Sequence, residues 1–236
     1  RGLRILDLGC GDGTTALPAA RLGANVLGVD IASNLVKAGN KLVDDEGLKN
    51  CKFQEGDASN LQDITDKSFD LVLSMFGAMF APKPLDVAKE MVRVTRDGGK
   101  IIMGNWIPNH PSLISEILKI SSAYLPPPPE GFVSPMTWGM ESKVVERFSN
   151  SGIKIENIMF ENDDFTFESD ESPSKIASKF LKYYGPTMNA LNEAEKKGLS
   201  SNLLKELDDL FNNQNQSQIK NSTFIPVKYL KVSIIK

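Results

Sequence analysis

The segment that most constrains this chain is Ile5-Leu6-Asp7-Leu8-Gly9-Cys10-Gly11-Asp12-Gly13. The apolar run over 3–8 reads as a buried strand, and it ends in three glycines at alternating positions. Residues 16 to 21 read as the helix that follows. Strand, glycine turn and helix together make a place for a nucleotide-like ligand. Glycine accepts positive φ and lets a ligand lie close to backbone, and a helix N-terminus presents N–H groups that its own turns leave unbonded. The spacing narrows the ligand. A dinucleotide fingerprint is G-x-G-x-x-G. Counted from Gly9, its third glycine would fall on Thr14, and the pattern is instead D-x-G-x-G-x-G from Asp7 to Gly13.

The rest of the first half alternates in the same way. Further strands are expected over 25–29, 52–54, 69–74 and 100–104, with helices over 14–22, 33–46 and 85–94. Short apolar strands alternating with helices give a mostly parallel sheet covered on both faces, with ligands outside the carboxyl ends of the strands. Beyond residue 104 come helices over 111–123, 141–150, 173–184 and 187–211, and strands over 154–160 and 226–235. The sequence thus predicts an α/β, Rossmann-like, seven-stranded mostly parallel sheet. Residues 1–236 form a single domain, with helical insertions over 107–150 and 161–225 rising as a cap. Pro126 to Pro129 read as a stiff strut of that cap, and 212–221, rich in Asn and Gln, as a loop.

Composition sets bounds on partners. Of 236 residues, 41% are hydrophobic, enough for a sizeable core. Lys plus Arg number 27 against 30 Asp plus Glu, a net charge of -3, so the basic footprint of a nucleic-acid binder is missing and no nucleic acid is expected. Only Cys10 and Cys51 are present, which fits a reducing, cytoplasmic setting with no disulfide framework. No apolar run is long enough to span a bilayer. Arg1-Gly2 leads directly into the first strand, without an initiator Met or targeting segment, as in a fragment or a chain trimmed at its start.

Three further positions carry chemistry. The second strand ends in Asp30, about 17 residues beyond Gly13, where a carboxylate can accept from both hydroxyls of a ribose. Gly56-Asp57-Ala58 follows the third strand, where Asp57 can accept from an adenine amine and the Ala58 N–H can donate to a ring nitrogen. The strand Phe69-Asp70-Leu71-Val72-Leu73-Ser74 is followed by a helix ending in Arg93-Val94-Thr95-Arg96-Asp97-Gly98-Gly99.

In this order, D-x-G-x-G-x-G, the strand-end Asp, G-D-A and R-V-x-R-x-G-G resemble a class I S-adenosylmethionine-dependent methyltransferase, close to the UbiE-like and type 11 groups. The resemblance covers 3–106, a little under half of the chain. It implies S-adenosyl-L-methionine as cofactor, with no metal. Asp7, Gly9 and Gly11, with Cys10 between them, would meet its methionine part. Asp30 would hold the ribose with Ile31 on the adenine, Asp57 and Ala58 would read the adenine, and the backbone at Ser74 would face the amino group or sulfonium. Members of the family usually carry helices before the first strand, and this sequence has none.

The acceptor is less legible. Ser74-Met75-Phe76-Gly77-Ala78-Met79-Phe80 lacks the N-P-P-Y or D-P-P-Y of amino-group enzymes, a nucleophilic Cys and a Glu pair. What remains is soft and apolar, which suits a small, partly apolar acceptor beside Phe76, Phe80 and Trp106. His110, the single histidine, is the candidate base. The expected reaction is O- or C-methylation of a small molecule, and the oligomeric state stays open. Rival readings are a non-catalytic S-adenosylmethionine-binding or regulatory protein, an RNA methyltransferase, and an NAD-dependent oxidoreductase, the last opposed by Thr14.

Overall fold

The computed structural model of the chain describes residues 2–236. Its seven strands are β1 (Arg4–Leu8), β2 (Asn25–Asp30), β3 (Cys51–Glu55), β4 (Phe69–Met75), β5 (Thr95–Trp106), β6 (Ile158–Ser169) and β7 (Thr223–Ile235). They lie in the order β3-β2-β1-β4-β5-β7-β6. The pairs β1/β2, β1/β4, β2/β3 and β4/β5 are parallel. The order of the strands reverses between β1 and β4, the switch point at which the carboxyl ends of parallel strands flank a crevice. β7 runs against its neighbours: Lys236 exchanges backbone hydrogen bonds with Gly98 and Gly99 at the start of β5, and Lys231 reaches Glu161 of β6.

The helices are α1 (Ala16–Arg21), α2 (Ser33–Asp45), α3 (Pro84–Val94), α4 (Leu113–Tyr124), α5 (Glu141–Ser149), α6 (Pro173–Tyr183), α7 (Gly185–Lys196) and α8 (Ser200–Gln214). Pro18 is tolerated in α1 because it falls in the first turn, where no intrahelical N–H is needed. Alternation along the strands sorts the core. Ile5, Val26, Leu71 and Leu73 face α1 and α2 and pack with Leu17, Val36 and Phe53. Leu6, Val72, Ile101 and Met103 point to the other face, where α3 and α5 pack together.

Two compact units emerge. The first holds residues 2–105, 133–162 and 230–236, and the second holds 106–132 and 163–229. The expected insertion 107–150 is therefore divided. Residues 133–150 belong to the first unit because α5 buries Val144 and Phe148 and packs on α3. In the second unit α4 packs on α7 and α8, around a chain of edge-on rings from Phe167 through Phe180 to Phe211.

Other boundaries differ for local reasons. The expected helix 187–211 is two helices, broken at Lys197–Leu199, where Gly198 has φ 68° and turns the chain. The strand expected over 154–160 begins later, at Ile158, after a short 3-10 turn over Ile155–Asn157, and continues to Ser169. Past Phe160 the run Glu161-Asn162-Asp163-Asp164 is polar on both faces, which ended the apolar signal. Asp97-Gly98-Gly99 is a bulge inside β5: Phe69 pairs with Thr95 but Leu71 with Lys100. Among the described residues no helix is long and apolar enough to cross a membrane.

Candidate functional site

The first unit gathers most of the expected site residues at the carboxyl ends of β1, β2, β3 and β4. Gly9 and Gly11 have φ of 67° and 56°, a conformation that L side chains rarely adopt. Their surroundings differ. A Cβ on Gly9 would lie 2.5 Å from the backbone of Gly77, whereas a Cβ on Gly11 would meet nothing within 4 Å. Gly9 thus lets two loops touch, and Gly11 leaves an open floor. A Cβ on Gly13 would collide with Phe53 and Leu17, so that glycine serves packing below the loop.

Asp30 fixes this floor. One carboxylate oxygen accepts from the Gly11 N–H at 2.9 Å, and the other accepts from the Ala32 N–H at 2.9 Å. The end of β2 is thereby tied to the turn after β1. Ile31, next along, is 74% exposed. An aliphatic side chain standing in solvent beside a half-buried carboxylate gives an apolar wall next to a hydrogen-bond acceptor. Asp57 is exposed, and its Oδ1 accepts from both the Ser59 N–H and the Ser59 hydroxyl at 2.8 Å, which shapes the turn that presents Ala58.

Asp7 sits underneath. It is only 2% exposed, and the Ala16 N–H at the start of α1 hydrogen-bonds its carboxylate. Its Oδ2 is buried with no hydrogen-bond partner among the described residues. Burial pushes its pKa up to about 7; the Ala16 bond opposes this, and the negative charge of Asp30 adds to it. Cys10 is also sealed in. Its thiol lies against Gly28, leans on the Gly11 carbonyl at 3.6 Å, and burial drives its pKa upward, so it is no nucleophile.

The Ser74 side chain has a structural part of its own, beside the role expected of its backbone. Its hydroxyl is buried, donates to the Leu8 carbonyl at 2.8 Å and accepts from the Ala78 N–H at 2.9 Å. It braces β4 to β1 and starts the 3-10 turn Ala78–Phe80. Between them Phe76 holds φ 59°, an outlying conformation for a bulky residue. Phe80 is exposed, whereas Met79 beside it is core. The alternation of a 3-10 turn puts one of the pair inward. Trp106 and His110 lie in the second unit; Trp106 is buried, and His110 Nδ1 is buried without a partner among the described residues.

Three further polar groups of the first unit are buried with atoms that have no hydrogen-bond partner among the described residues. Asn105, at the end of β5, is 1% exposed, and neither polar atom of its amide has a partner among the described residues. Trp138 and Arg147 are buried too, with Trp138 Nε1 and Arg147 Nη1 in the same state. The only signal for Arg147 was its place on the apolar side of α5, three residues after Val144 and one before Phe148.

Comparison with known proteins bears on the same region. Residues 6–103 match a family model described as a methyltransferase domain. An uncharacterised protein of Mycobacterium tuberculosis is 32% identical over 190 residues, which is 80% of this chain and 67% of that relative. The chain thus spans about two thirds of the mycobacterial relatives it matches. A ubiquinone biosynthesis O-methyltransferase of Maricaulis maris is 37% identical over 101 residues, 43% of this chain and 39% of that protein. Phosphoethanolamine N-methyltransferase 2 of Haemonchus contortus, solved with phosphomonomethylethanolamine and S-adenosylhomocysteine, gives a TM-score of 0.61 at 19% identity, over 100% of this chain and 49% of that one. At that identity the likeness is one of fold.

Proposed function

The chain belongs to the class I S-adenosylmethionine-dependent methyltransferases, and from this premise we propose that it methylates an oxygen or carbon atom of a small, partly apolar acceptor. The donor site fits the residues present. Asp7 Oδ2 is a buried acceptor in want of a donor, Gly11 leaves open floor, and Ile31 stands exposed beside Asp30. Asp7, Gly9, Cys10 and Gly11 would hold the methionine part. Asp30 would hold the ribose. Each of its oxygens retains a lone pair beyond the backbone bond it already accepts, so it can fix the loop and the sugar together. Ile31 would pack on the adenine, which Asp57 and Ala58 would read, and the backbone at Ser74 would face the amino group.

When bound, S-adenosylmethionine supplies a methyl group already activated on a sulfonium. The work left to the chain is positioning, which by itself can account for much of an acceleration. Phe76 and Phe80 would hold the acceptor, and a hydroxyl acceptor would need a base for its proton.

The observation that supports an acceptor site at the end of β4 is the left-handed backbone of Phe76. A phenylalanine held at φ 59° is unfavourable by roughly 1–2 kcal/mol relative to glycine. Retaining it there points to use of its ring. The test is transfer of label from methyl-labelled S-adenosylmethionine to a panel of phenols, catechols and quinols. At least one acceptor is expected to take label. Phe76→Gly is expected to melt no lower than the parent while transferring label more than about tenfold slower. S-adenosylhomocysteine binding with no transfer to any of the panel would favour the non-catalytic reading.

A further inference from the structure

Inside the first unit, on the α3 side of the sheet, lies a positive charge with no carboxylate in hydrogen-bond contact among the described residues. Arg147 of α5 is 6% exposed. Its guanidinium lies over the Trp138 ring, 4.5 Å from the centroid, and Nη2 donates to the Thr137 hydroxyl at 2.6 Å. That hydroxyl in turn donates to the Ser134 carbonyl at 2.7 Å. Nη1 has no partner among the described residues, and neither does the Trp138 indole N–H beside it. Its helix neighbour Glu146 is exposed and bonded to Lys143 at 2.7 Å. Glu146 favours the charge from a distance, and the groups in direct contact with the cation are one neutral hydroxyl and an aromatic face.

A buried guanidinium on those terms is unfavourable, because a stacked ring and a hydroxyl restore only part of its lost hydration. Its place in the fold gives the reason for keeping it. The short turn carrying Thr137 and Trp138, Pro135–Gly139, packs against the turn Ala78–Phe80. That turn hangs from the Ser74 hydroxyl, which is bonded to the end of β1. The two orphaned donors are thus one turn removed from the residues proposed to hold the acceptor. Asn105, with its unsatisfied amide, lies on the same face of the sheet at the same end, in register beyond Met103 and Ser74.

We propose that Arg147 and Trp138 form an anion-binding site that holds a carboxylate of the methyl acceptor. The inference rests on the methyltransferase reading and names the class of acceptor, an aromatic or aliphatic carboxylic acid. Two N–H donors, one charged, match the two oxygens of a carboxylate. Phe148, edge-on to the Trp138 ring at 6.1 Å, is apolar and offers little to the greater charge and oxygen count of a phosphate. Because both donors are sealed, entry requires the Pro135–Gly139 turn to shift, and a ligand that binds only the shifted form draws the chain into it.

Trp138 lies against the guanidinium and reports on it. The experiment titrates the chain, saturated with S-adenosylhomocysteine, with benzoate and with benzamide at constant ionic strength, and follows the indole fluorescence. Benzoate is expected to change that fluorescence saturably, and its neutral isostere to bind at least about tenfold more weakly. Arg147→Lys, which keeps the charge but loses the planar fork, is expected to weaken benzoate by about tenfold, and Arg147→Met to abolish the response. S-adenosylhomocysteine affinity is expected to stay within about twofold of the parent in both variants. No saturable response to benzoate, equal responses to benzoate and benzamide, or an undiminished response in Arg147→Lys would each overturn the proposal. Failure of S-adenosylhomocysteine to bind the parent chain would instead overturn the reading on which it rests.

Discussion

Gly9 and Gly77 meet backbone to backbone. A Cβ on Gly77 would fall 2.2 Å from the Gly9 carbonyl oxygen, and a Cβ on Gly9 would fall 2.5 Å from the Gly77 backbone. This contact joins the turn after β1, where the donor is proposed to lie, to the loop after β4, where the acceptor is. Two substrates that must react at contact distance need the loops that hold them fixed to each other.

Two glycine substitutions separate packing from ligand contact. Gly77→Ala drives a methyl group into backbone that cannot yield, and is expected to destabilise the chain by about 3 kcal/mol or more. Gly11→Ala meets no protein atom but suffers the left-handed penalty, about 1 kcal/mol. Urea unfolding ranks the two. Calorimetry with S-adenosylhomocysteine is expected to give the opposite impression for Gly11→Ala, a variant that folds well and binds poorly. Equal stability losses in the two variants would contradict this division of roles.

Ser74→Ala removes the hydroxyl that joins Leu8 to Ala78 and leaves a buried carbonyl and a buried N–H without partners. The expected loss is roughly 1–3 kcal/mol in urea unfolding. Ser74→Cys keeps a weak donor and acceptor and is expected to lose less. A variant as stable as the parent would show that the brace is not under load.

Much of this was legible in the sequence, and the reason is local. The glycine turn, Asp30 and Gly56-Asp57-Ala58 are each set by a strand end and a few following residues, so short-range pattern finds them. Ser74 shows the limit. Its position was read correctly, but its partners Leu8 and Ala78 come from the pairing of β1 with β4, which a linear pattern does not contain. Arg147 is the clearer failure. A charged residue within a helix is ordinarily taken as exposed, and only the packing of α5 on α3 turns it inward. The division of 107–150 was illegible for the same reason, since nothing in the sequence of α5 says which earlier helix it meets.

The stability of the unliganded chain is expected to fall as pH rises from about 4 through 7. Asp7 has its pKa raised to about 7 in the folded chain, against about 3.9 when unfolded. Between those values the folded state keeps a proton that the unfolded state has lost. The stabilisation from this group is therefore complete below the unfolded pKa and is lost as pH passes the folded one. From pH 5 to pH 8 the loss is roughly 2–3 kcal/mol. Asp7→Asn removes the titration, so its unfolding free energy should change less over that range. Parallel pH profiles for parent and variant would contradict the assignment.

The turn after β1 and Asp30 are proposed to hold S-adenosylmethionine together. Isothermal calorimetry with S-adenosylhomocysteine on the parent chain and on Asp30→Ala tests it most directly. Saturable one-to-one binding is expected of the parent and a loss of roughly 1.5–3 kcal/mol of the variant, from hydrogen bonds to a charged group. Asp30→Asn, which keeps one acceptor oxygen for the Gly11 N–H, should fall between them. Equal affinity in the parent and in Asp30→Ala would contradict it.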